Sequence, residues 1–211
     1  ENHLADKKCN SLCKLFVFFY VRSGIIIYSE LLLDYLKKNY STFYFISSTT
    51  KVLTDFADFQ TELNREDFSY VVPDFRLNKS FENINALSQN QKDKVEFLCN
   101  ECCNFYCTER KTCYQNVSRK NLGEEVLSHK CTAPDSKKGY RFSSAMKNPG
   151  FISIDDIQKI YLSMGFSNFK IEGRGLGSAM VLEFLLYYLV KPEFQIVVRE
   201  EVYLDGMLDL F

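Results

Sequence analysis

The sequence predicts an α/β protein of the (β/α)8 (TIM barrel) type that lacks its N-terminal strands. Short β-branched or aromatic runs alternate with helical patterns, and the first four begin about 20 to 25 residues apart, as in repeated βα units of a parallel sheet. The segment after the fourth run is much longer than an ordinary βα loop. Five runs are visible where a closed barrel needs eight. Either the N-terminal strands are missing from this chain, or the sheet is open, or a partner completes it, and the absence of an initial Met favours the first of these.

The alternating pattern gives the position of each element. Strands are predicted at residues 25–28, 43–48, 70–72, 95–98 and 168–171. Helices are predicted at residues 30–39, 53–63 and 178–190, the first of them capped by Ser29. An apolar stripe at helical spacing also opens the chain. We predict one domain, residues 1–211, with a cysteine-rich metal-binding insertion at residues 99–150.

Composition and charge limit the classes of function. Lysine and arginine number 26 against 27 acidic residues, so the net charge of -1 gives no field for non-specific nucleic-acid binding. The apolar run at residues 179–190 is shorter than the roughly 20 residues that cross a bilayer. The first ten residues lack the apolar stretch of a signal peptide. We therefore expect no membrane span, and a cytoplasmic location with reduced thiols.

Polar residues follow the predicted strands, and the carboxyl ends of parallel strands meet on one face, where barrels place their function. The residues that we predict to be catalytic are Asp74, Glu101, Glu172 and Arg174. Arg76 is predicted to bind substrate. Acidic and guanidinium groups beside a thiolate cluster are typical of working sites, because such groups are costly to hold together.

Six of the eight cysteines fall between Cys99 and Cys131, and this density predicts a metal centre. The predicted ligands are Cys103, Cys107, Cys113 and Cys131, with His129 as the alternative to the last. Structural zinc takes four such ligands, and an iron–sulfur cluster also takes four thiolates at irregular spacing, so spacing does not separate the two. Disulfides are a third interpretation, which a reducing compartment makes unnecessary.

Two features near the cysteines suggest an anionic substrate. Residues 108–141 carry eight basic and four acidic side chains. Such a shell lowers thiol pKa values and also suits a phosphate-bearing substrate or RNA, although a solvated loop is an open alternative. After the last strand, Gly173, Gly175 and Gly177 precede a helix, where backbone N–H groups form an anion site. Tight packing of strand against helix explains these glycines equally well.

Two short segments carry a family resemblance. Residues 169–174, Phe-Lys-Ile-Glu-Gly-Arg, resemble a segment near the end of the barrel in the collagenase-like peptidase family, whose catalytic mechanism is unassigned. The pattern Asn100-Glu101-x-Cys103-x3-Cys107 resembles a segment of related barrel proteins. Relatives of that family hydroxylate RNA or ubiquinone. The resemblance implies a TIM barrel and, in the hydroxylating branch, a four-cysteine iron–sulfur cluster. Residue by residue, the resemblance extends to Glu101, Cys103, Cys107, Glu172, Gly173 and Arg174.

Three functions follow as hypotheses. The first is an iron–sulfur enzyme that acts on a small molecule or RNA by oxygen-independent hydroxylation or related redox chemistry. The second is a zinc-stabilised binding or scaffold protein. The third is a peptidase, for which the only histidines, His3 and His129, lie in no recognisable catalytic motif. Because five strands leave open sheet edges, we also expect self-association or a partner that covers them.

Overall fold

The computed structural model describes residues 2–20, 22–125, 131 and 139–208. Five short strands lie in these ranges: β1 (Gly24–Ile27), β2 (Tyr44–Ser47), β3 (Phe68–Val71), β4 (Glu96–Leu98) and β5 (Asn168–Lys170). The helices are α1 (Lys7–Phe19), α2 (Glu30–Asn39), α3 (Phe56–Leu63), α4 (Phe81–Asn85), α5 (Gln89–Lys92), α6 (Arg110–Asn121), α7 (Phe142–Ala145), α8 (Ile154–Asp156), α9 (Ser178–Leu189) and α10 (Gln195–Leu208). The predicted strand positions are confirmed to within two residues, and the helix predicted at 30–39 coincides with α2.

The strands form two small parallel sheets. β1, β2 and β3 pair in chain order, with Ile26 opposite Ile46 in the first pair. β4 pairs with β5, and Phe97 lies opposite Phe169. A single parallel bridge between Val71 and Val95 joins the two sheets. All five strands therefore run in the same direction, and their carboxyl ends lie on one face.

The predicted (β/α)8 barrel is wrong. The described residues give five strands in two small sheets and no closed barrel. Closure requires every strand to be hydrogen-bonded on both sides, whereas β1 and β5 stand at the two ends of the strand order. The βα pattern of the sequence determines that neighbouring strands run parallel, but it does not determine how many strands there are or whether the sheet closes.

Aromatic and branched side chains fill the core between the sheets and the helices. Ile27, Val71 and Phe97 are fully buried on the strands. The ring centroid of Phe97 lies 5.0 Å from those of Tyr161 and Phe166. Each large apolar side chain buried in this way contributes roughly 1.5 to 3 kcal/mol, so the core fixes the strands that position the site.

The segment after β4 leaves the sheet and returns to the same place. It includes α6 and α7, and Ile152 N donates a hydrogen bond to Cys99 O at 3.0 Å on its return. The buried Asn78 Nδ2 donates to Leu98 O at 2.9 Å and to Gly150 O at 2.7 Å. Both ends of the predicted cysteine-rich insertion are therefore tied to the carboxyl end of β4.

The most apolar helix, α9, packs beside α10 near the chain's end. Its Glu183 Oε2 accepts a hydrogen bond from Arg199 Nη2 of α10 at 2.6 Å. Tyr188 Oη donates to Ile152 O at 3.0 Å, which attaches α9 to the rest of the core. Across the described ranges, every helix is too short or too polar to cross a membrane.

Candidate functional site

A buried arginine lies at the centre of the strand-end face. Arg110 is the first residue of α6, and 3% of its side chain is exposed. Its Nη2 lies 2.5 Å from Glu101 Oε2, and its Nε lies 3.4 Å from Asp74 Oδ2. Both carboxylates are buried, and they follow β4 and β3. One cation therefore offsets two acids that the sequence analysis had predicted to be catalytic.

Asp74 has a second cationic partner in Arg76. The Nε and Nη2 atoms of Arg76 donate to the two carboxylate oxygens of Asp74 at 2.6 and 3.0 Å. The Nη1 atom of Arg76 donates to Cys107 O at 2.7 Å, which links the end of β3 to the cysteine segment. The substrate-binding role of Arg76 stays a prediction, and in this structure its guanidinium group positions the cysteine segment.

Three metal-ligating groups meet beside this ion-pair network. One oxygen each of Glu101 and Glu172 and the Sγ atom of Cys102 all lie within 4.8 Å of one another. Glu101 is buried, whereas Cys102 and Glu172 are half-buried. The ends of β4 and β5 bring these groups together because the two strands are parallel neighbours. Glu101 and Glu172 were predicted site residues, and Cys102 was not.

Burial and charge change the protonation of this group. Burial and, to a smaller extent, the nearby Glu101 carboxylate raise the pKa of Glu172 to about 8, against the opposing effect of Arg110. Burial likewise raises the pKa of the Cys102 thiol to about 12, with smaller contributions from Glu101 and Glu172. At neutral pH and without a metal, Glu172 therefore retains its proton.

Asn100 connects the two strands that carry the acid pair. It is fully buried, its Oδ1 accepts from Glu172 N at 2.8 Å, and its Nδ2 donates to Glu172 O at 3.1 Å. Tyr140 Oη donates to Asn100 O at 2.8 Å. Both backbone groups of Glu172 are thus held by one side chain, which fixes the position of Glu172 relative to Glu101.

Replacing Asn100 by alanine is expected to lower the free energy of unfolding by about 1 to 3 kcal/mol, because the backbone groups of Glu172 lose buried hydrogen bonds. Urea denaturation measures the change. The exposed Asn83 on α4 provides the control. Its alanine variant is expected to stay within about 0.5 kcal/mol of the wild type. Equal stability of the two variants would show that Asn100 does not connect the strands.

The four predicted cysteine ligands, the cysteine series, lie outside the group of metal-ligating atoms that come within 4.8 Å of one another in the described residues. Burial raises the pKa of Cys103 to about 11, and the neighbouring Cys107 contributes to the increase while Arg110 opposes it. Burial also raises the pKa of Cys113, with contributions from Cys107 and then Cys131. Cys103 and Cys113 therefore each have another predicted ligand near enough to affect the pKa of their own thiol. The alternative ligand His129 lies outside the described residues.

The glycine segment after β5 has a packing role at its first position. Gly173 has φ +116, and a Cβ atom there would lie 2.5 Å from the Phe184 ring. Gly177, with φ +92, precedes the first residue of α9. Close packing therefore explains Gly173, while the anion-binding role of Gly173, Gly175 and Gly177 stays a prediction. The side chain of Arg174 lies outside the described part of the structure.

A cavity of about 560 Å³ opens next to the ion-pair network. Tyr28 and Thr50, which follow β1 and β2, line one part, and residues of α6 including Tyr114 and Arg119 line another. The guanidinium carbon of Arg110 lies 5.1 Å from the centroid of the Tyr114 ring. The cavity is thus separated from Arg110 by one aromatic side chain, and its volume suits a small molecule.

Sequence reasoning did not identify Arg110 or Cys102. Arg110 was counted among the basic residues of a surface segment, and its burial depends on how α6 packs across the strand ends. Cys102 lies between two residues that were assigned other roles, Glu101 and Cys103. Comparisons with family models, curated proteins and solved structures found no match to this chain. The function must therefore be argued from the site itself.

Proposed function

We propose that this protein is an iron–sulfur enzyme in which Cys103, Cys107, Cys113 and Cys131 hold the cluster. The acid pair Glu101 and Glu172 binds and moves protons next to it. The substrate is a small molecule or RNA, and oxygen-independent hydroxylation is the reaction that the resemblance to the collagenase-like family suggests. The observation that carries the proposal is the position of Cys103 beside the buried Glu101, whose carboxylate accepts a hydrogen bond from Cys103 N at 2.8 Å.

The cysteines have the donor chemistry that a cluster requires. Four thiolates are the usual ligands of iron–sulfur clusters, and metal binding deprotonates thiols whose pKa values burial has raised. Arg110 lies near Cys103 and favours its thiolate form. The link from Arg76 Nη1 to Cys107 O, 2.7 Å long, fixes one ligand position against the sheet. When bound, such a cluster supplies one-electron transfer.

The acid pair is suited to exchange a proton with a substrate at neutral pH. Glu172 holds a proton there because its pKa is raised to about 8. Glu101 pairs with Arg110 and accepts a hydrogen bond from Cys103 N at 2.8 Å. Two carboxyl groups with different protonation states are the usual arrangement for an acid and its conjugate base. The cavity beside Tyr114 offers space for the reacting group.

The proposal predicts a visible absorption spectrum from sulfur-to-iron charge transfer in protein purified without oxygen. A Cys107→Ser variant is expected to lose most of this absorbance, because one of the four ligands is removed. The exposed Cys9 on α1 gives the matched control, and Cys9→Ser is expected to keep the full spectrum. Colourless wild-type protein, or a Cys107→Ser variant with an unchanged spectrum, would contradict the proposal.

The other two hypotheses give different results in the same experiment. A zinc-stabilised scaffold predicts stoichiometric zinc, no iron and no visible absorbance, since zinc is colourless with four thiolates. The peptidase hypothesis, a metal-dependent or thiol hydrolase, predicts turnover of a peptide library that one acidic substitution abolishes. A thiol hydrolase also requires an activating base, and the side chains of His3 and His129 lie outside the described set.

A further inference from the structure

A second metal site lies next to the cysteine series: we propose that Glu101, Cys102 and Glu172 together bind one zinc ion. None of the three belongs to the four cysteines assigned to the cluster. The site therefore does not depend on whether those cysteines hold iron. It adds a divalent Lewis acid to the strand-end face, and because a zinc-bound carboxylate is deprotonated, the proton exchange proposed above belongs to the zinc-free form.

The donor atoms lie close enough together to bind one ion. Two carboxylate oxygens and one thiol sulfur lie within 4.8 Å of one another. In a tetrahedral zinc site, ligand atoms lie about 3.4 to 3.6 Å apart, given the usual zinc–oxygen and zinc–sulfur distances. The three side chains need only to contract slightly around the ion. Oxygen and sulfur together favour a borderline metal such as zinc over magnesium or calcium, which prefer oxygen alone.

The surrounding hydrogen bonds orient two of the three ligands. Glu101 Oε1 accepts from Cys103 N at 2.8 Å, and its Oε2 faces Arg110. Asn100 holds both backbone groups of Glu172, at 2.8 and 3.1 Å. Such outer partners are typical of metal sites, because they fix ligand geometry before the ion binds. A solvated acidic surface lacks buried supports of this kind.

A divalent ion also fits the charge of the site. When zinc displaces the protons of Glu172 and Cys102, the three ligands carry three negative charges, and Arg110 is paired with Glu101. That guanidinium group is shared with the buried Asp74, whose Oδ2 lies 3.4 Å from Arg110 Nε. A divalent ion offsets the remaining charge where burial makes it costly. Three protein ligands leave the fourth zinc position open, which is typical of catalytic rather than structural zinc.

Calorimetric titration of zinc tests the site. Anaerobically purified protein is dialysed against a chelator, the chelator is removed, and ZnCl2 is the titrant. We expect one zinc per chain at this site in the wild type. Glu172→Gln and Cys102→Ser are each expected to weaken binding by about tenfold or more, because each removes a ligand. Glu172→Gln preserves the shape of the protonated acid, so it is expected to fold.

Two further variants separate this site from the cluster. Cys107→Ser is expected to lose iron but to keep zinc binding. Adding Glu172→Gln to Cys107→Ser is expected to weaken that zinc binding. Cys9→Ser is expected to keep both metals. The assignment is overturned if the wild type binds no zinc, or if Glu172→Gln and Cys102→Ser bind it as tightly as the wild type. If the wild type contains no iron but binds this zinc, the proposed function is contradicted and the zinc assignment stands.

Discussion

Replacing Arg110 by methionine is expected to destabilise the protein by about 3 to 5 kcal/mol, the cost of removing one partner from a buried ion pair. The methionine side chain fills much of the same volume but carries no charge. Glu101 and Asp74 are buried, and each loses a cationic partner, at 2.5 and 3.4 Å respectively. Asp74 retains Arg76, so the larger share of the cost falls on Glu101. The midpoint of urea denaturation, with an unchanged slope, measures the effect.

Two controls separate lost charge from lost packing. Arg119 lies on the same helix with 61% of its side chain exposed, and Arg119→Met is expected to change stability by less than about 0.5 kcal/mol. Adding Glu101→Gln to Arg110→Met removes the carboxylate that was left without its partner. The double variant is expected to be more stable than Arg110→Met alone. If the double variant is less stable than Arg110→Met, the burial of an unpaired Glu101 charge is not what destabilises Arg110→Met.

The stability of metal-free protein is expected to fall as the pH rises from about 5 to about 8.5, because Glu172 must lose its proton in a buried position. The pKa of Glu172 is about 8 in the folded protein against an ordinary value of 4.5. Between these values the folded state binds more protons than the unfolded state, so the free energy of unfolding decreases with pH. The stabilisation that the Glu172 proton provides is complete below about pH 4.5 and is lost above about pH 8. We expect the free energy of unfolding to decrease by about 2 to 4 kcal/mol across this pH range, which allows for the partial exposure of Glu172 and its coupling to Glu101.

Glu172→Gln provides the comparison for this prediction. Glutamine mimics the protonated acid and does not titrate, so the variant is expected to lose this part of the pH dependence. The Cys102 thiol, whose pKa burial raises to about 12, titrates above the range in both proteins. Urea denaturation at several pH values in the presence of a chelator gives the difference. Parallel curves for the two proteins would show that Glu172 is charged at neutral pH.

The sequence was sufficient to predict the local elements. Ser29 caps α2 through a hydrogen bond from Leu32 N to its Oγ at 3.4 Å, and the helix runs over the predicted residues. The β-branched and aromatic runs became parallel strands, although β1, at the edge of its sheet, leaves Ile26 38% exposed. The closed barrel was wrong because closure depends on the pairing of the outer strands, and no local pattern reports that pairing.

The site was predicted in part. Glu101 and Glu172 follow neighbouring parallel strands, so their proximity could be derived from the pattern alone. Arg110 could not be placed, because its position depends on a helix that crosses the strand ends from a segment with no regular spacing. The raised pKa of Glu172 likewise depends on the burial that this packing produces. The identity of the two acids can therefore be predicted from the local sequence, whereas their charge and burial depend on the tertiary structure.

Iron and acid-labile sulfide content, measured on protein purified without oxygen, tests the central claim most directly. Our account predicts iron and sulfide in matching amounts in the wild type, and loss of both in Cys107→Ser. Zinc at the cysteines without iron or sulfide would contradict the claim. The cysteine series would then be a structural site, and the redox function would have to be abandoned.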